Sequence, residues 1–308
     1  MPEMKNKRLI VIVGPTGVGK TRLAIRLAKQ LATEIVSADS RQIYEGLSIG
    51  TAKPGQEELE QVKHHFIGTK GVDEKYAAGL YGSDAVDLIH ELFEKYDSLI
   101  LCGGSGLYVK AVLEGFDEMP DVAPGIRERI MTEYKEKGLT WLQDQVKEID
   151  PEFFETVDQQ NPHRLVRALE LNQASGKKLA ALRKKKKREH PFTIIKIGLE
   201  LDREELFRRI DLRMDSMIEA GLFEEAKAFH EMKDLNALQT VGYQEIFGFF
   251  DGHYGREEAI RLLKRNSRRY AKRQLTWFKK DMEIIWLHPD QFEEILKLAT
   301  SSEPRASS

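Results

Sequence analysis

The chain's 308 residues, 41% hydrophobic and 32% charged, suffice for two domains and exclude wholesale disorder. No apolar run approaches the ~20 residues of a membrane-spanning helix, MPEMKNKRL lacks the features of a secretory signal, and the lone Cys102 excludes intrachain disulfides and Cys-based zinc clusters; a cytoplasmic protein is expected. The net charge of −2 conceals two basic stretches, residues 177–188 and 256–280, each a candidate footprint for a polyanion.

Residues 8–13 (RLIVIV) read as a strand, followed by a glycine loop and by TRLAIRLAKQL with apolar residues at helical spacing. EIVSADS (34–40) and SLILCGG (98–104) have the length and β-branched content of buried strands, and helical segments at 83–95 and 106–113 flank the second of them. This pattern predicts an α/β fold with a doubly wound parallel sheet. After Glu114 the turn-rich DEMPDVAPG opens a stretch, 125–188, that reads as helix after helix. Strand character returns at 192–201 and 283–287, separated by helical segments 203–232 and 256–280. The expected organisation is a P-loop core at 1–114 and 191–290, an inserted all-α domain at 115–190, and a helix end with a disordered tail at 291–308.

Gly14, Pro15, Thr16, Gly17, Val18, Gly19, Lys20 and Thr21 fit G-x-x-x-x-G-K-[ST] between a strand and a helix, the context of a phosphate-binding loop. Backbone N–H groups surround an anion, the helix N-terminus adds its dipole, Lys20 adds a point charge, and the Thr21 hydroxyl can ligate Mg²⁺. Such a loop establishes a di- or triphosphate site; ATP does not follow, because none of these contacts reads a base. A nucleotide hydrolase calls for an apolar strand ending in an acid, whereas LILCGGSG ends in glycines. The acid is Asp39, at the carboxyl end of the second strand, where it faces the ligand crevice or caps a turn. Ser105, after the third strand, either bonds a substrate or caps the next helix.

Asp202 with Glu205 three residues on predicts a capping box. Arg209 and Arg213 share one face of that helix, either as a clamp for phosphate oxygens or as solvated charges paired with Glu205 and Asp211. In 256–280, Tyr270, Trp277 and Phe278 are interleaved with basic residues. That suits a nucleic acid, or else a solvated helix whose aromatics pack on the core. The run Lys184–Arg188 reads as a solvated charge cluster, and His64-His65 lacks partners at metal spacing.

Together these pieces resemble the tRNA dimethylallyltransferases (tRNA isopentenyltransferases) of bacterial type over about residues 8–288. The resemblance is carried by GPTGVGKT (14–21), SADSRQIYEGLSIGTAKP (37–54), HHFIG (64–68), GGSGLYVKAVLEG (103–115), NPHRLVRALE (161–170), LDREELFRRIDLRMDSMIEAGLFEE (201–225), TVGYQE (240–245) and YAKRQLTWFKK (270–280). Ser105 stands where that family typically has Thr, which keeps the hydroxyl, and the zinc finger of eukaryotic members is absent. The resemblance implies transfer of a dimethylallyl group from its diphosphate to N6 of the adenosine 3′ of certain tRNA anticodons. It further implies that loop 14–21 holds the diphosphate with Mg²⁺ on Thr21, and that Arg209 and Arg213 neutralise the leaving group. Asp39 would be the base, with Ser105 orienting the nucleotide. Asp39, Ser40, Arg41, Gln42, Lys272 and Arg273 would meet the tRNA, as would Arg127, Gln159, Gln160, Asn161, Pro162 and His163 from the insertion. A monomer without membrane association is expected. A small-molecule kinase and a nucleotide-switched RNA-binding protein stay open as alternatives.

Overall fold

RLIVIV is apolar on both pleat faces, as a strand covered from both sides must be. In the computed structural model, which describes Met4 and residues 6–117, 119–182 and 187–301, it forms the central strand β1 (Arg8–Val13), with Leu9 to Val13 buried. The elements that follow are α1 (Lys20–Leu31), β2 (Ile35–Ser37), α2 (Gln56–Gln61), β3 (His64–His65), α3 (Ala78–Leu92), β4 (Ser98–Gly103) and α4 (Gly106–Leu113). Next come α5 (Ile126–Ile149), α6 (Pro151–Thr156), α7 (Pro162–Ser175) and α8 (Leu179–Leu182). The chain closes with β5 (Thr193–Leu199), α9 (Arg203–Glu219), α10 (Leu222–Ala228), α11 (Tyr243–Phe250), α12 (Arg256–Phe278), β6 (Ile285–Leu287) and α13 (Phe292–Thr300). All strand pairs are parallel, in the order β3-β2-β4-β1-β5-β6, and Ile10 sits between Ile100 and Ile195. This is a doubly wound P-loop α/β sheet. No helix among the described residues is long and apolar enough to cross a membrane.

Backbone contacts divide the chain into two compact units, 1–113 with 189–308, and 114–188. The second contains only helices among its described residues and has its own core around Leu142, Val146, Leu165, Val166 and Leu169. Its helix starts follow local chemistry: Asp150 and Asn161 cap α6 and α7, and Pro151 and Pro162 occupy the first turn, where no N–H is required. Asp150 also accepts the Leu179 N–H at 2.8 Å, tying α8 to the start of α6. Arg183 to Lys186 of the basic run, and tail residues 302–308, lie outside the described residues.

Four sequence expectations are corrected. Strand β2 stops at Ser37 instead of Ser40, because Asp39 draws the chain into a turn. Helix α2 and strand β3 arise where no element is expected, β3 as two residues at the sheet edge, too short for any periodicity to register. The segment 203–232 is not continuous: Gly221, at φ 99°, ends α9 and starts α10. Asp202 precedes α9 without a side-chain cap bond, and no capping box forms, because Glu205 turns to Arg208 and Arg209.

Candidate active site

The carboxyl ends of β1, β2 and β4 lie side by side, so the three loops that leave them share one edge of the sheet. After β1, residues 14–21 wrap into the phosphate loop with Gly14, Gly17 and Gly19 at φ 148°, 81° and 101°, a backbone region closed to most side chains. Lys20 donates to the Gly14 and Pro15 carbonyls at 3.0 and 2.8 Å. Burial lowers its pKa to about 8, with Asp39 partly opposing and Arg213 reinforcing the shift. The loop opens onto a cavity of about 480 Å³ whose wall includes Thr16, Thr21, Asp39, Gln42, Arg209 and Arg213.

After β2, the Asp39 Oδ1 accepts the Arg41 N–H at 2.9 Å and the Gln42 N–H at 3.3 Å, so this carboxylate does cap a turn. It also faces the cavity, and its Oδ2 has no hydrogen-bond partner among the described residues. After β4, the Ser105 Oγ reaches across to the same turn, accepting the Ser40 N–H at 2.9 Å and donating to Ser40 Oγ at 3.1 Å. Burial together with the Asp39 charge raises the Tyr270 hydroxyl to about 12, so it stays protonated at neutral pH.

Arg213 donates to Thr16 Oγ1 at 3.4 Å, and burial lowers its pKa against the pull of Asp39 and Glu58. Arg209 is half-buried and paired with Glu205 at 2.7 Å while lining the cavity. The pairing with Glu205 is thus present for Arg209, and both arginines line the cavity. Asp211 belongs to neither arginine: Arg268 on α12 takes it.

A second cavity, of about 540 Å³, is lined by Ser40, Ser105, Tyr108, Arg273 and Trp277, and shares Arg41, Tyr270 and Gln274 with the first. Of the three aromatics on the basic helix, Tyr270 and Trp277 face this space, whereas Phe278 is core. The Arg273 guanidinium lies 5.6 Å from the Tyr270 ring centre, and Lys272 is exposed. Arg41 is held by the Asn236 carbonyl at 2.6 Å and the Gln239 carbonyl at 3.4 Å. His64, whose Nδ1–H donates to the Val62 carbonyl at 2.8 Å, lines the first cavity, while His65 pairs with Glu34.

The candidate residues of the other unit have local roles there. Arg127 meets the buried Glu170 at 2.6 Å, Gln159 bonds the Phe154 carbonyl, and the Gln160 N–H goes to Asp158. Asn161 and Pro162 start α7, and His163 is exposed.

Sequence reasoning missed Gln274. Its Oε1 accepts the Thr16 N–H at 2.8 Å and its Nε2 donates to the Gly104 carbonyl at 2.9 Å, so one buried amide braces the phosphate loop against the end of β4. A Cβ on Gly104 would collide with that amide. The available signal was a glutamine on the buried face of α12, in register with Leu263, Ser267, Ala271 and Phe278.

Lys20 gives the site a defined pH dependence. Its charged form attracts the anion, so affinity for a diphosphate is expected to be flat below pH 8 and to fall above it, approaching about tenfold per pH unit. Calorimetric titration in buffers of different ionisation heat checks this; binding above pH 8 without proton uptake would contradict it.

The family described as IPP transferase matches residues 42–281. The tRNA dimethylallyltransferase of Cytophaga hutchinsonii is 52% identical over 290 residues, covering 94% of this chain and 95% of that protein. The tRNA dimethylallyltransferase 1 of Bacteroides fragilis is 44% identical over 299 residues, 97% of this chain and 99% of that one. The crystal structure of the tRNA isopentenylpyrophosphate transferase of Bacillus halodurans matches with a TM-score of 0.70 at 37% identity, covering 95% and 94% of the two chains. With its phosphate loop, its adjoining second cavity and this likeness along nearly its whole length, the chain belongs to the IPP transferase family.

Proposed function

We propose that this protein transfers a dimethylallyl group from dimethylallyl diphosphate to N6 of the adenosine 3′ of the anticodon in tRNAs, releasing diphosphate. The observation that carries the reading is the meeting of two cavities at shared residues, one built on the phosphate loop with Asp39 and the other rimmed by Ser105, Tyr270, Arg273 and Trp277. The donor occupies the first. The acceptor nucleotide leaves its stack and enters by the second, among side chains suited to stacking and phosphate contact.

In the transfer the allylic C–O bond breaks, a C–N6 bond forms, and N6 loses one proton. Lys20, Arg209 and Arg213 take up the charge that develops on the diphosphate. An aromatic amine is a poor nucleophile, because its lone pair is delocalised. Asp39 accepts its proton, with one carboxylate oxygen fixed by the turn and the other open to the cavity, while Ser105 orients the base. The Thr21 hydroxyl and diphosphate oxygens form the hard oxygen set that Mg²⁺ prefers, so Thr21 would hold the ion, which supplies positive charge to the leaving group. Ser40, Arg41, Gln42, Lys272 and Arg273 contact the tRNA from this unit, and Arg127 with Gln159 to His163 from the other. The protein acts as a cytoplasmic monomer.

The test is incubation with Mg²⁺, radiolabelled dimethylallyl diphosphate and unmodified tRNA, beside a control with labelled ATP. Label in RNA at an A next to the anticodon is expected. ATP turnover without RNA, and no label in RNA, would place the phosphate loop in a kinase.

A further inference from the structure

Segment 46–54, which forms part of the wall of the first cavity, is held from behind by one carboxylate. Glu225 on α10 accepts the N–H groups of Ser48 at 3.0 Å and Ile49 at 2.8 Å through Oε2, and that of Gly50 at 2.8 Å through Oε1. Its Oε1 also accepts the Tyr243 hydroxyl at 2.6 Å. Three successive amides converging on one anion form a nest of the kind that binds phosphate, here filled by a side chain of the protein itself. Burial and the bond to Glu225 push the Tyr243 hydroxyl's pKa up, which keeps it a donor. Apolar contact is equally close, since a Cβ on Gly50 would lie 2.6 Å from Tyr243 Cζ and one on Gly46 2.7 Å from Phe229 Cζ.

From the nest the chain runs into the site. Ala52 adopts φ 48°, a left-handed conformation unfavourable for a residue with a Cβ, so the turn needs external support. The Thr51 and Ala52 carbonyls accept the Gln42 Nε2 at 3.2 and 2.9 Å, and the Gln42 N–H in turn meets Asp39 Oδ1. Gly50 to Pro54 line the same cavity as the phosphate loop, whereas Glu225 lines neither cavity. Glu225 therefore reaches the cavity wall through the amides of segment 48–50, with its charge acting also on Lys53 in the same wall.

We propose that Glu225 is a positioning residue for prenyl transfer: its carboxylate fixes segment 48–52 as a wall of the donor cavity and, through Gln42, steadies the turn that carries Asp39. This rests on the transferase reading above. The second cavity is held by other contacts, among them those of Arg41 with Asn236 and Gln239, so the donor side should feel a loosened nest first.

Glu225→Gln keeps the size of the side chain but replaces one of its two acceptor oxygens by NH₂ and removes the charge, so at least one of the three N–H groups loses its acceptor. Amide hydrogen exchange at 48–52 is expected to quicken at least about tenfold while exchange in β1 and β4 and the melting temperature stay at wild-type values. The KM for dimethylallyl diphosphate is expected to rise about tenfold and kcat to fall, with the KM for tRNA rising several-fold less, since of the tRNA contacts only Gln42 bonds this segment. Tyr243→Phe should show the same pattern more weakly, and added formate, which can refill the nest, should recover part of the activity of Glu225→Ala. Unchanged exchange at 48–52 would overturn the proposal, as would donor and tRNA parameters worsening together in step with a lowered melting temperature. Wild-type protein in the same assay separates the two readings. No label transferred by wild type overturns the assigned reaction, whereas wild-type transfer matched by wild-type kinetics in Glu225→Gln overturns only the positioning role.

Discussion

Replacing Asp39 by asparagine is expected to lower kcat for prenyl transfer by about 10²–10⁴, the usual worth of a positioned general base, while tRNA affinity stays at the wild-type value. Asparagine is the informative change because its side-chain oxygen can still accept the Arg41 and Gln42 N–H groups and so preserve the turn. What it removes is the second oxygen, open to the cavity, and with it the ability to take a proton. Alanine removes the turn cap as well, so Asp39→Ala should show the same loss in kcat with an added loss of stability. Single-turnover measurement with tRNA prebound separates chemistry from binding. Near-normal turnover in the asparagine variant would remove Asp39 as the base and leave it a purely structural cap.

Arg213→Ala is expected to reduce kcat/KM for dimethylallyl diphosphate by about 10²–10³, on the scale of losing one preorganised donor to a developing anion. Arg209→Ala should cost much less. The two share a helix face and are both half-buried, yet Arg213 reaches Thr16 of the phosphate loop at 3.4 Å, whereas Arg209 is already paired with Glu205. The effect should fall on the donor and leave the KM for tRNA unchanged; equal effects on both substrates would argue against a clamp. A second readout follows from the position of Lys20. The Arg213 charge helps lower the Lys20 pKa, so its removal should carry the alkaline limb of donor binding above pH 8. Burial, the main cause of the Lys20 shift, is unchanged by this substitution, so the limb is expected to move only slightly.

Legible in the linear sequence were the features fixed by local chemistry. The alternation of apolar runs and helical periods announced the parallel sheet, and the spacing of Gly14, Gly19, Lys20 and Thr21 announced the phosphate loop, since a turn closed by glycines before a helix depends on few residues outside itself. Asp39 and Ser105 could be placed at strand ends, because parallel α/β sheets gather their ligands there. The linear sequence allows each two roles, and distance sorts them: Asp39 serves the turn with one oxygen and faces the cavity with the other, while Ser105 Oγ goes to the turn of Asp39. Long-range packing carries no such local mark. Gln274 lies 258 residues from the Thr16 amide it accepts, and Glu225 lies 175 residues from the amide of Gly50. The register of Gln274 marks it as buried, yet neither neighbourhood names the partner, because a buried amide or carboxylate finds it only after helices from the far end of the chain have packed against the sheet. The periodicity of 203–232 likewise hid the break at Gly221, since the apolar spacing runs on through a glycine whose left-handed backbone ends one helix and starts the next. Local propensity thus set the elements and the phosphate loop, and burial of polar groups against distant partners set which side chains hold that loop, Asp39 and the cavity wall in place.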